Sequence, residues 1–218
     1  MMRPPQPLAI RVTHWINVPI IIVMAASGLQ ILVAYPNFGP QGAQYGWMPQ
    51  NFHIPQVLRI GGWLAGARHV HFACAWLLLA NALVYLVYLL ASGEFRRRWF
   101  WPPRDAGSAV GAALGYLHIR EAPRQRGLYN GLQRAAYTGA VVLGVALVGS
   151  GLSMWKPVQL HRLAWLFGGY EGARAVHFLS LVALALFIVG HLVMVAIHWR
   201  TVPEMITGGK PGAHEGVE

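Results

Sequence analysis

The fold is decided by a charge-free stretch near the carboxyl end of the chain, VHFLSLVALALFIVGHLVMVAIHW at residues 176–199. A run of about 20 apolar residues can cross roughly 30 Å of hydrocarbon as an α-helix, in which every backbone polar group is bonded internally. Three further runs without Asp, Glu, Lys or Arg have a similar length, at residues 12–34, 70–91 and 135–155. The sequence therefore predicts an all-α membrane protein whose single domain, residues 1–218, is a bundle of four transmembrane helices.

Composition supports a membrane protein and excludes several other classes. Hydrophobic residues make up 56% of the 218 residues and charged residues only 11%, against about 45–50% and 25% in soluble domains. The residues behind the net charge of +10 lie between the apolar runs and form no nucleic-acid-binding module. The single cysteine, Cys74, excludes an internal disulfide, a cysteine-ligated zinc site and covalent c-type haem attachment. We expect it to be a small buried residue.

The distribution of basic residues predicts the orientation of the helices. Twelve Lys and Arg lie in the two tails and the stretch 94–134, against five in the other two loops when Arg68 and Arg174 at their ends are included. By the positive-inside rule both termini are cytoplasmic, and the loops 35–67 and 156–173 face outward. The first run is too long for a cleaved signal peptide and begins beside Arg11 and His14. Within the inner loop, the Ala-rich stretch 105–117 is expected to form a short interfacial helix.

Four of the ten histidines stand at matched depths in the predicted spans. His177 and His191 are 14 residues apart on one helix, which gives about 21 Å of rise and places both on one side. Two sites at two depths follow. His71 begins its span at the outer side, as His177 does, whereas His14 lies toward the inner side, as His191 does. Each pair could clamp one haem iron, because neutral imidazole binds iron axially and a flat apolar macrocycle fits between helices. Zinc would require three or four ligands at one depth.

An arginine precedes three of these histidines by three positions: Arg11 before His14, Arg68 before His71, and Arg174 before His177. On a helix such an arginine shares the face of the ligand one turn nearer the headgroups, where it could pair with haem propionates. The alternative is ordinary interfacial snorkelling. Two of the helix starts are nearly identical hexapeptides, ARHVHF at 67–72 and ARAVHF at 173–178, each preceded by a glycine pair and an aromatic residue.

The other histidines and the glycines are less informative. His69 is two residues from His71 and faces away from it, but offers a second imidazole close to that ligand position. His198 lies two turns beyond His191, where it could replace that ligand, line a quinone pocket or simply fill the interface. The remaining four are expected in loops or tails: His53, His118, His161 and His214. Glycines in the spans, including Gly28 and Gly151, would make room for a cofactor or equally serve helix packing.

These motifs resemble the bacterial di-haem cytochrome b family that includes the b-type subunits of nickel-iron hydrogenases, formate dehydrogenase and thiosulfate reductase. The resemblance covers all four spans. It rests on RVTHWIN at 11–17, HF at 71–72, YNGLQR at 129–134, HF at 177–178 and HLVM at 191–194. It implies two haems b, with His71 and His177 binding the outer one and His14 and His191 the inner one.

The resemblance also implies a quinone site near the inner haem. The Tyr-Asn-x-x-Gln element of the family lies close to that site, so Asn130 and Gln133 are expected to contribute to it, together with Asn17 and His198. The closest likeness, through MWKPVQ at 154–159 and FGGYE at 167–171, is to cytochromes that accompany periplasmic molybdopterin oxidoreductases. The outer loop, with Trp47, Phe52 and Trp63, would then be a docking surface.

The sequence is compatible with more than one function. We expect a multi-pass protein of the bacterial inner membrane that carries electrons between the quinone pool and a periplasmic redox partner, which we expect to be a molybdopterin oxidoreductase. A stand-alone oxidoreductase, such as a superoxide:quinone oxidoreductase, would instead use a small basic funnel of outer residues, Arg68, Lys156, Arg162 and Arg174. A proton or ion transporter is disfavoured, because no Asp or Glu lies within any span.

Overall fold

The computed structural model describes residues 6–39, 46, 53–121 and 129–208. Within these ranges the chain is helical, without strands, which confirms the predicted all-α class. The α-helices of the described residues are α1 (Leu8–Ala34), α2 (Leu64–Ala91), α3 (Glu94–Arg98), α4 (Pro102–Tyr116), α5 (Gly131–Trp155), α6 (His161–Leu166), α7 (Gly169–Ile197) and α8 (Val202–Thr207). Two short 3-10 turns, Gln56–Leu58 and Trp199–Thr201, complete the regular structure of this part of the chain.

Four of these helices, α1, α2, α5 and α7, are long and apolar enough to cross a membrane, as predicted. Each begins four to seven residues before the predicted span. The difference arises because the predicted spans start after the last charged residue, whereas the helical backbone continues outward through residues such as Arg68 and Arg174. A guanidinium can extend to the headgroups while its stem stays on the helix. At the other end of the last span, α7 stops at Ile197, so His198 lies in the turn that follows.

Large apolar side chains cover the outside of the long helices. Leu77, Leu83, Leu186 and Val189 are all more than half exposed. In water such helices would leave a large apolar surface unburied, whereas lipid chains solvate it. Cys74 is half-buried, rather than fully buried as predicted.

The chain divides into two compact units, to both of which the four long helices contribute residues. Unit one comprises Met1–Arg11, Leu86–Val145 and Ala183–Glu218, and unit two comprises Val12–Tyr85 and Ala146–Val182.

In unit one, the short helices α3 and α4 lie at the start of α5. Gly131 opens α5 against α4, where an added Cβ would collide with the Asp105 carbonyl oxygen and the Ala109 backbone nitrogen. Its backbone N–H donates to the Ser108 hydroxyl at 3.1 Å. Helix α4 confirms the short helix predicted at 105–117, with its start three residues earlier at Pro102, since proline is well tolerated at a helix start.

A buried guanidinium holds α3 to α5 in the same unit. Arg98 is 4% exposed, and its guanidinium lies over the rings of Tyr129 and Tyr137, at 4.9 and 5.0 Å from their centroids. Glu94 accepts a hydrogen bond from its Nε at 3.0 Å. The charge is therefore paired by a carboxylate and two aromatic faces, which offsets the cost of burying it.

In unit two, the turns before α2 and α7 have the same construction. Gly61 and Gly168 have φ of +101° and +78°. Each turn folds back onto the first turn of its helix, so that a Cβ on Gly66 would collide with the Gly61 carbonyl oxygen, and one on Gly172 with that of Phe167. Gly66 and Gly172, which directly precede the two hexapeptides, are thus required by close backbone approach.

The loop predictions for the remaining histidines need one correction. His161, expected in a loop, begins the six-residue helix α6, because the loop 156–173 folds into a short helical turn of its own. His53 lies outside the helices and His118 lies in a turn. His214 lies outside the described residues, as do Trp47 and Phe52 of the expected docking loop.

Candidate functional site

Two histidines, each about two turns from the start of its helix, α2 or α7, face each other. The ring centroids of His71 and His177 are 6.3 Å apart, with the ring planes at 63°. Two imidazoles that bind one metal ion from opposite sides, each nitrogen at about 2 Å, have ring centroids about 6 Å apart. The pair therefore fits the axial ligation of one haem iron. Among the described residues, no group of three or more His, Cys, Asp or Glu side chains comes together as a metal site.

His71 is held by α1. Its Nδ1 lies 3.1 Å from the Met24 carbonyl oxygen and 3.1 Å from the Ser27 hydroxyl. A carbonyl oxygen can only accept, so Nδ1 carries the ring proton and donates it. The lone pair of Nε2 is then available to a metal, in the tautomer that histidine ligands normally adopt.

His177 is held by α5 in the same way. Its Nδ1 lies 3.0 Å from the Ser150 hydroxyl and bonds to the Leu147 carbonyl. Gly151 follows the serine as Gly28 follows Ser27, and a Cβ on either glycine would lie 3.4 Å from Cε1 of its histidine. Each imidazole is therefore anchored by a serine and a carbonyl one turn apart and lies against a glycine of the neighbouring span.

Sequence reasoning named the two glycines but missed the two serines. A serine in an apolar helix is ordinary, because its hydroxyl can bond to its own backbone. The available signal was the repeated Ser-Gly dipeptide, 27–28 and 150–151, in the spans that precede the two hexapeptides.

Aromatic rings flank the histidine pair in unit two. Phe72 lies 6.0 Å and Trp76 6.1 Å from Trp155, measured between ring centroids. On the α7 side, Phe38 is 2% exposed and packs on Phe178 at 5.1 Å. These apolar surfaces suit a flat macrocycle with an apolar body.

The two arginines that precede the pair have different surroundings. Arg174 donates to the carbonyl oxygens of Tyr35 at 2.7 Å and Asn37 at 3.0 Å, and to the Glu171 carboxylate at 2.9 Å. Arg68 is exposed, with its guanidinium 5.8 Å from the ring of Phe72. The predicted pairing of these arginines with haem propionates stays a prediction.

The third of these arginines, Arg11, bonds to the end of the chain in unit one. Its guanidinium donates to the Ile206 carbonyl oxygen in α8 at 3.0 Å, and it lies close enough to Gly208 that a Cβ there would be 2.8 Å from Nη1. Arg11 thus ties the start of α1 to the segment after α7.

The second predicted ligand pair is divided between the units. His14 belongs to unit two, where it is half-buried and its ring lies 5.5 Å from that of Trp15. His191 belongs to unit one and stacks on Phe187 at 6.2 Å with an angle of 9°. Their joint ligation of one haem stays a prediction.

A buried amide that sequence reasoning did not single out lies beside His14. Asn81 of α2 is 8% exposed and donates to the Thr13 carbonyl oxygen at 2.8 Å and to Asn17 Oδ1 at 2.7 Å. Asn17, expected at the quinone site, thus has an internal partner. Polar side chains in apolar spans form such bonds because unsatisfied groups are costly there.

The two other amides expected at the quinone site form a capping box at the start of α5. Asn130 Oδ1 accepts from the Gln133 N–H at 2.8 Å, and Gln133 Oε1 accepts from the Asn130 N–H at 3.0 Å. This reciprocal arrangement satisfies two backbone donors at the helix start. The Asn-x-x-Gln spacing therefore has a structural cause, whether or not a quinone binds there.

The two alternative ligands are both exposed. His198 Nδ1 lies 3.1 Å from the Met194 carbonyl oxygen, and its ring lies 6.0 Å from that of Tyr116. His69 follows Arg68 on the exposed side of α2.

Comparison with known proteins gives two findings. Residues 6–208 match the family described as prokaryotic cytochrome b561. The chain is also 39% identical over 199 residues to the putative protein-methionine-sulfoxide reductase subunit YedZ1 of Azospira oryzae, covering 91% of this chain and 93% of that protein. No solved structure matches the chain.

Proposed function

The chain belongs to the prokaryotic cytochrome b561 family, and we propose that it carries electrons from the quinone pool through two haems b to a redox partner outside the membrane. Membership makes the chain a haem-binding, multi-pass protein of the bacterial inner membrane that transfers electrons. The number of haems, their ligands, the quinone and the partner are the proposed part.

The observation that carries the proposal is the His71–His177 pair. The two rings are 6.3 Å apart, and each presents Nε2 because its Nδ1 is bonded to a neighbouring span. A haem bound there would supply one-electron chemistry at its iron. The chain itself orients the two imidazoles, holds their tautomers and surrounds them with apolar side chains.

For the second haem we keep the ligands predicted from the sequence, His14 and His191. Their support is the 14-residue spacing of His177 and His191 on α7 and the resemblance of RVTHWIN at 11–17 to the di-haem cytochromes. Two haems at two depths would carry electrons across the low-dielectric interior, which a single haem at one face would not span.

For the quinone we propose contacts from Asn130 and Gln133, with Asn17 and His198 as further candidates. Each amide of the capping box uses its oxygen to accept from a backbone N–H. An amide carries both an oxygen acceptor and an NH₂ donor. The NH₂ groups are therefore the atoms that could donate to a quinone carbonyl.

For the partner we propose a periplasmic molybdopterin oxidoreductase that reduces methionine sulfoxide in proteins. Its support is the name of the Azospira oryzae relative, a putative subunit of a protein-methionine-sulfoxide reductase. A quinol gives up two electrons and two protons, and reducing a sulfoxide to a thioether consumes two of each and releases water, so the reaction balances. Electrons would then flow from the quinone pool outward.

The proposal is tested on purified protein by a reduced-minus-oxidised spectrum with haem counted per chain, followed by reduction with a quinol. We expect two haems b per chain, both reduced by the quinol, and one haem per chain after His14→Ala or His191→Ala. A single haem in the natural protein would overturn the two-haem assignment. A quinol that leaves the haems oxidised would overturn the link to the quinone pool.

Two conservative variants separate the quinone role of the amides from their capping role. Asn130→Asp and Gln133→Glu keep the oxygen that accepts the backbone N–H but lack the NH₂ donor. We expect unchanged haem content and quinol reduction slowed about tenfold, which corresponds to one lost hydrogen bond. Reduction at the natural rate by both variants would show that the amides serve only as caps.

A further inference from the structure

We infer that Ser27 and Ser150 are positioning residues for the two proposed haem ligands His71 and His177, and that together they set the redox potential of that haem. The inference rests on the proposed ligation by His71 and His177. It concerns groups that touch the ligands and not the iron.

The direction of each hydrogen bond follows from the other bond that the serine makes. The Ser27 hydroxyl lies 2.7 Å from the Val23 carbonyl oxygen of its own helix, and the Ser150 hydroxyl has the same relation to Ala146. Each hydroxyl proton is thus directed to a carbonyl four residues earlier. The oxygen lone pairs remain for the imidazole, so Ser27 Oγ and Ser150 Oγ accept from Nδ1–H.

The arrangement occurs twice, on two different spans. Both serines are 0% exposed, and each lies three residues after the carbonyl that also bonds to Nδ1, Met24 for His71 and Leu147 for His177. The two occurrences, on α1 and α5, are both directed at Nδ1 of two opposed histidines, which indicates a requirement of the ligand pair. Helix packing alone would not place an acceptor at Nδ1 in both cases.

Such a bond acts on both the geometry and the electronics of the ligand. It fixes the tautomer and the rotation of the ring, and it pulls the Nδ1 proton outward, which makes Nε2 a stronger donor. A stronger donor stabilises ferric iron more than ferrous iron. Loss of one serine should therefore raise the midpoint potential of this haem and leave the second haem unchanged.

The chain offers a matched control in Ser153. This serine is also 0% exposed, lies on α5 three residues after Ser150, and donates to the Gly149 carbonyl oxygen at 2.8 Å. The described contacts of Ser153 include no histidine nitrogen. Ser153→Ala thus removes a buried hydroxyl without removing an acceptor from a ligand.

The experiment is a redox titration of the purified two-haem protein and its Ser27→Ala, Ser150→Ala and Ser153→Ala variants, with the ferric electron paramagnetic resonance spectrum of each. We expect Ser27→Ala and Ser150→Ala each to raise the reduced-to-oxidised ratio of the same haem about fivefold at a fixed potential, the equivalent of one hydrogen bond. This is about 40 mV at 59 mV per tenfold change for one electron. Ser153→Ala should leave the ratio unchanged. Ser27→Thr, which retains a hydroxyl at this position, should have the ratio of the natural protein.

An unchanged ratio in both alanine variants, or the same shift in Ser153→Ala, would overturn the inference. If an alanine variant does not fold, Ser27→Cys makes the same comparison, since the thiol fills similar space but accepts hydrogen bonds weakly. The histidine variants distinguish this failure from that of the proposed function. Retention of both haems by His71→Ala and His177→Ala would refute the ligation itself, whereas haem loss from these variants with silent serine variants would refute only the role of the serines.

Discussion

The starts of α2 and α7 are nearly the same sequence in two different surroundings. ARHVHF at 67–72 and ARAVHF at 173–178 both follow a glycine turn that folds back onto the helix. Both histidines are held by a serine and a carbonyl of the neighbouring span. The arginines are not alike: Arg68 is exposed, whereas the side chain of Arg174 is 10% exposed.

The difference comes from the segment that follows α1. Residues Tyr35 to Phe38 pass over α7, and Arg174 donates to two carbonyls of this segment while lying 4.4 and 4.9 Å from the rings of Tyr35 and Phe38. Among the residues that the structure describes, Arg68 has one ring neighbour of this kind, Phe72, at 5.8 Å. The features that the two helix starts share, the glycine turn and the histidine contacts, therefore position the histidines. The surroundings of Arg68 and Arg174 differ because residues 35–38 pass beside Arg174. Arg68 is consequently the better placed of the two to meet a propionate or a partner protein.

The histidines provide the strongest test of the likeness between the two helix starts. We expect His71→Ala and His177→Ala each to remove the same haem completely, because one imidazole cannot replace the opposed pair. His69→Ala, which changes the exposed neighbour of the ligand, should retain both haems. Haem counts per chain and the positions of the remaining absorption bands measure the outcome. Loss of one haem from His71→Ala and of the other from His177→Ala would show that the two histidines bind different haems and do not form one site.

Variants of Arg68 and Arg174 test the difference between the surroundings of the two helix starts. Arg174→Ala removes three hydrogen bonds made by a side chain that is only 10% exposed, so we expect it to destabilise the protein by about 2–4 kcal/mol. Arg68→Ala should change the stability by less than about 0.5 kcal/mol, as is usual for an exposed side chain. Thermal unfolding in detergent, followed by haem absorbance, compares the two variants. Arg174→Lys serves as a control for charge: it should recover only part of the loss, because an ammonium lacks the forked donors of arginine. Equal destabilisation by both alanine variants would contradict the assigned roles.

The glycines beside the ligands provide the finest test. A Cβ on Gly28 or Gly151 would lie 3.4 Å from Cε1 of its histidine, which is ordinary contact. We expect Gly28→Ala and Gly151→Ala to retain the haem and to alter its ferric resonance spectrum slightly and equally. Gly144→Ala on α5, where an added Cβ meets nothing within 4 Å, should leave the spectrum unchanged and stabilise the helix by up to about 1 kcal/mol. A spectral change in only one of these two variants would show that the surroundings of His71 and His177 differ at the haem, as those of Arg68 and Arg174 do.

Much of this architecture was predictable because it depends on local sequence. The four spans follow from charge-free runs, and the helix α4 follows from the Ala-rich stretch that begins near Asp105. The approach of His71 to His177 was expected from their equal depth, and the structure brings them together. The exact starts of the helices were not predictable from charge-free runs, since arginines remain helical at the headgroup level.

The roles of Ser27, Asn81 and Arg174 could not be predicted from the sequence. Each side chain bonds to a residue at least 44 positions away in the chain. Asn130 and Gln133 show the opposite case, because their capping box is local. Their Asn-x-x-Gln spacing is a known helix-start signature, so this box could have been predicted from the sequence, although only a quinone site was.

Sequence alone indicates that this chain crosses the membrane with four helices, and it predicts histidines at two depths. These properties follow from composition and helical periodicity, since lipid requires long apolar helices and 3.6 residues per turn determines which side chains share a face. Tertiary structure alone decides which serine accepts from which histidine, and which of two equivalent arginines becomes buried. Those outcomes depend on short hydrogen bonds between segments that are far apart in the chain. Neither composition nor helical periodicity determines which of these segments come close enough to form such bonds.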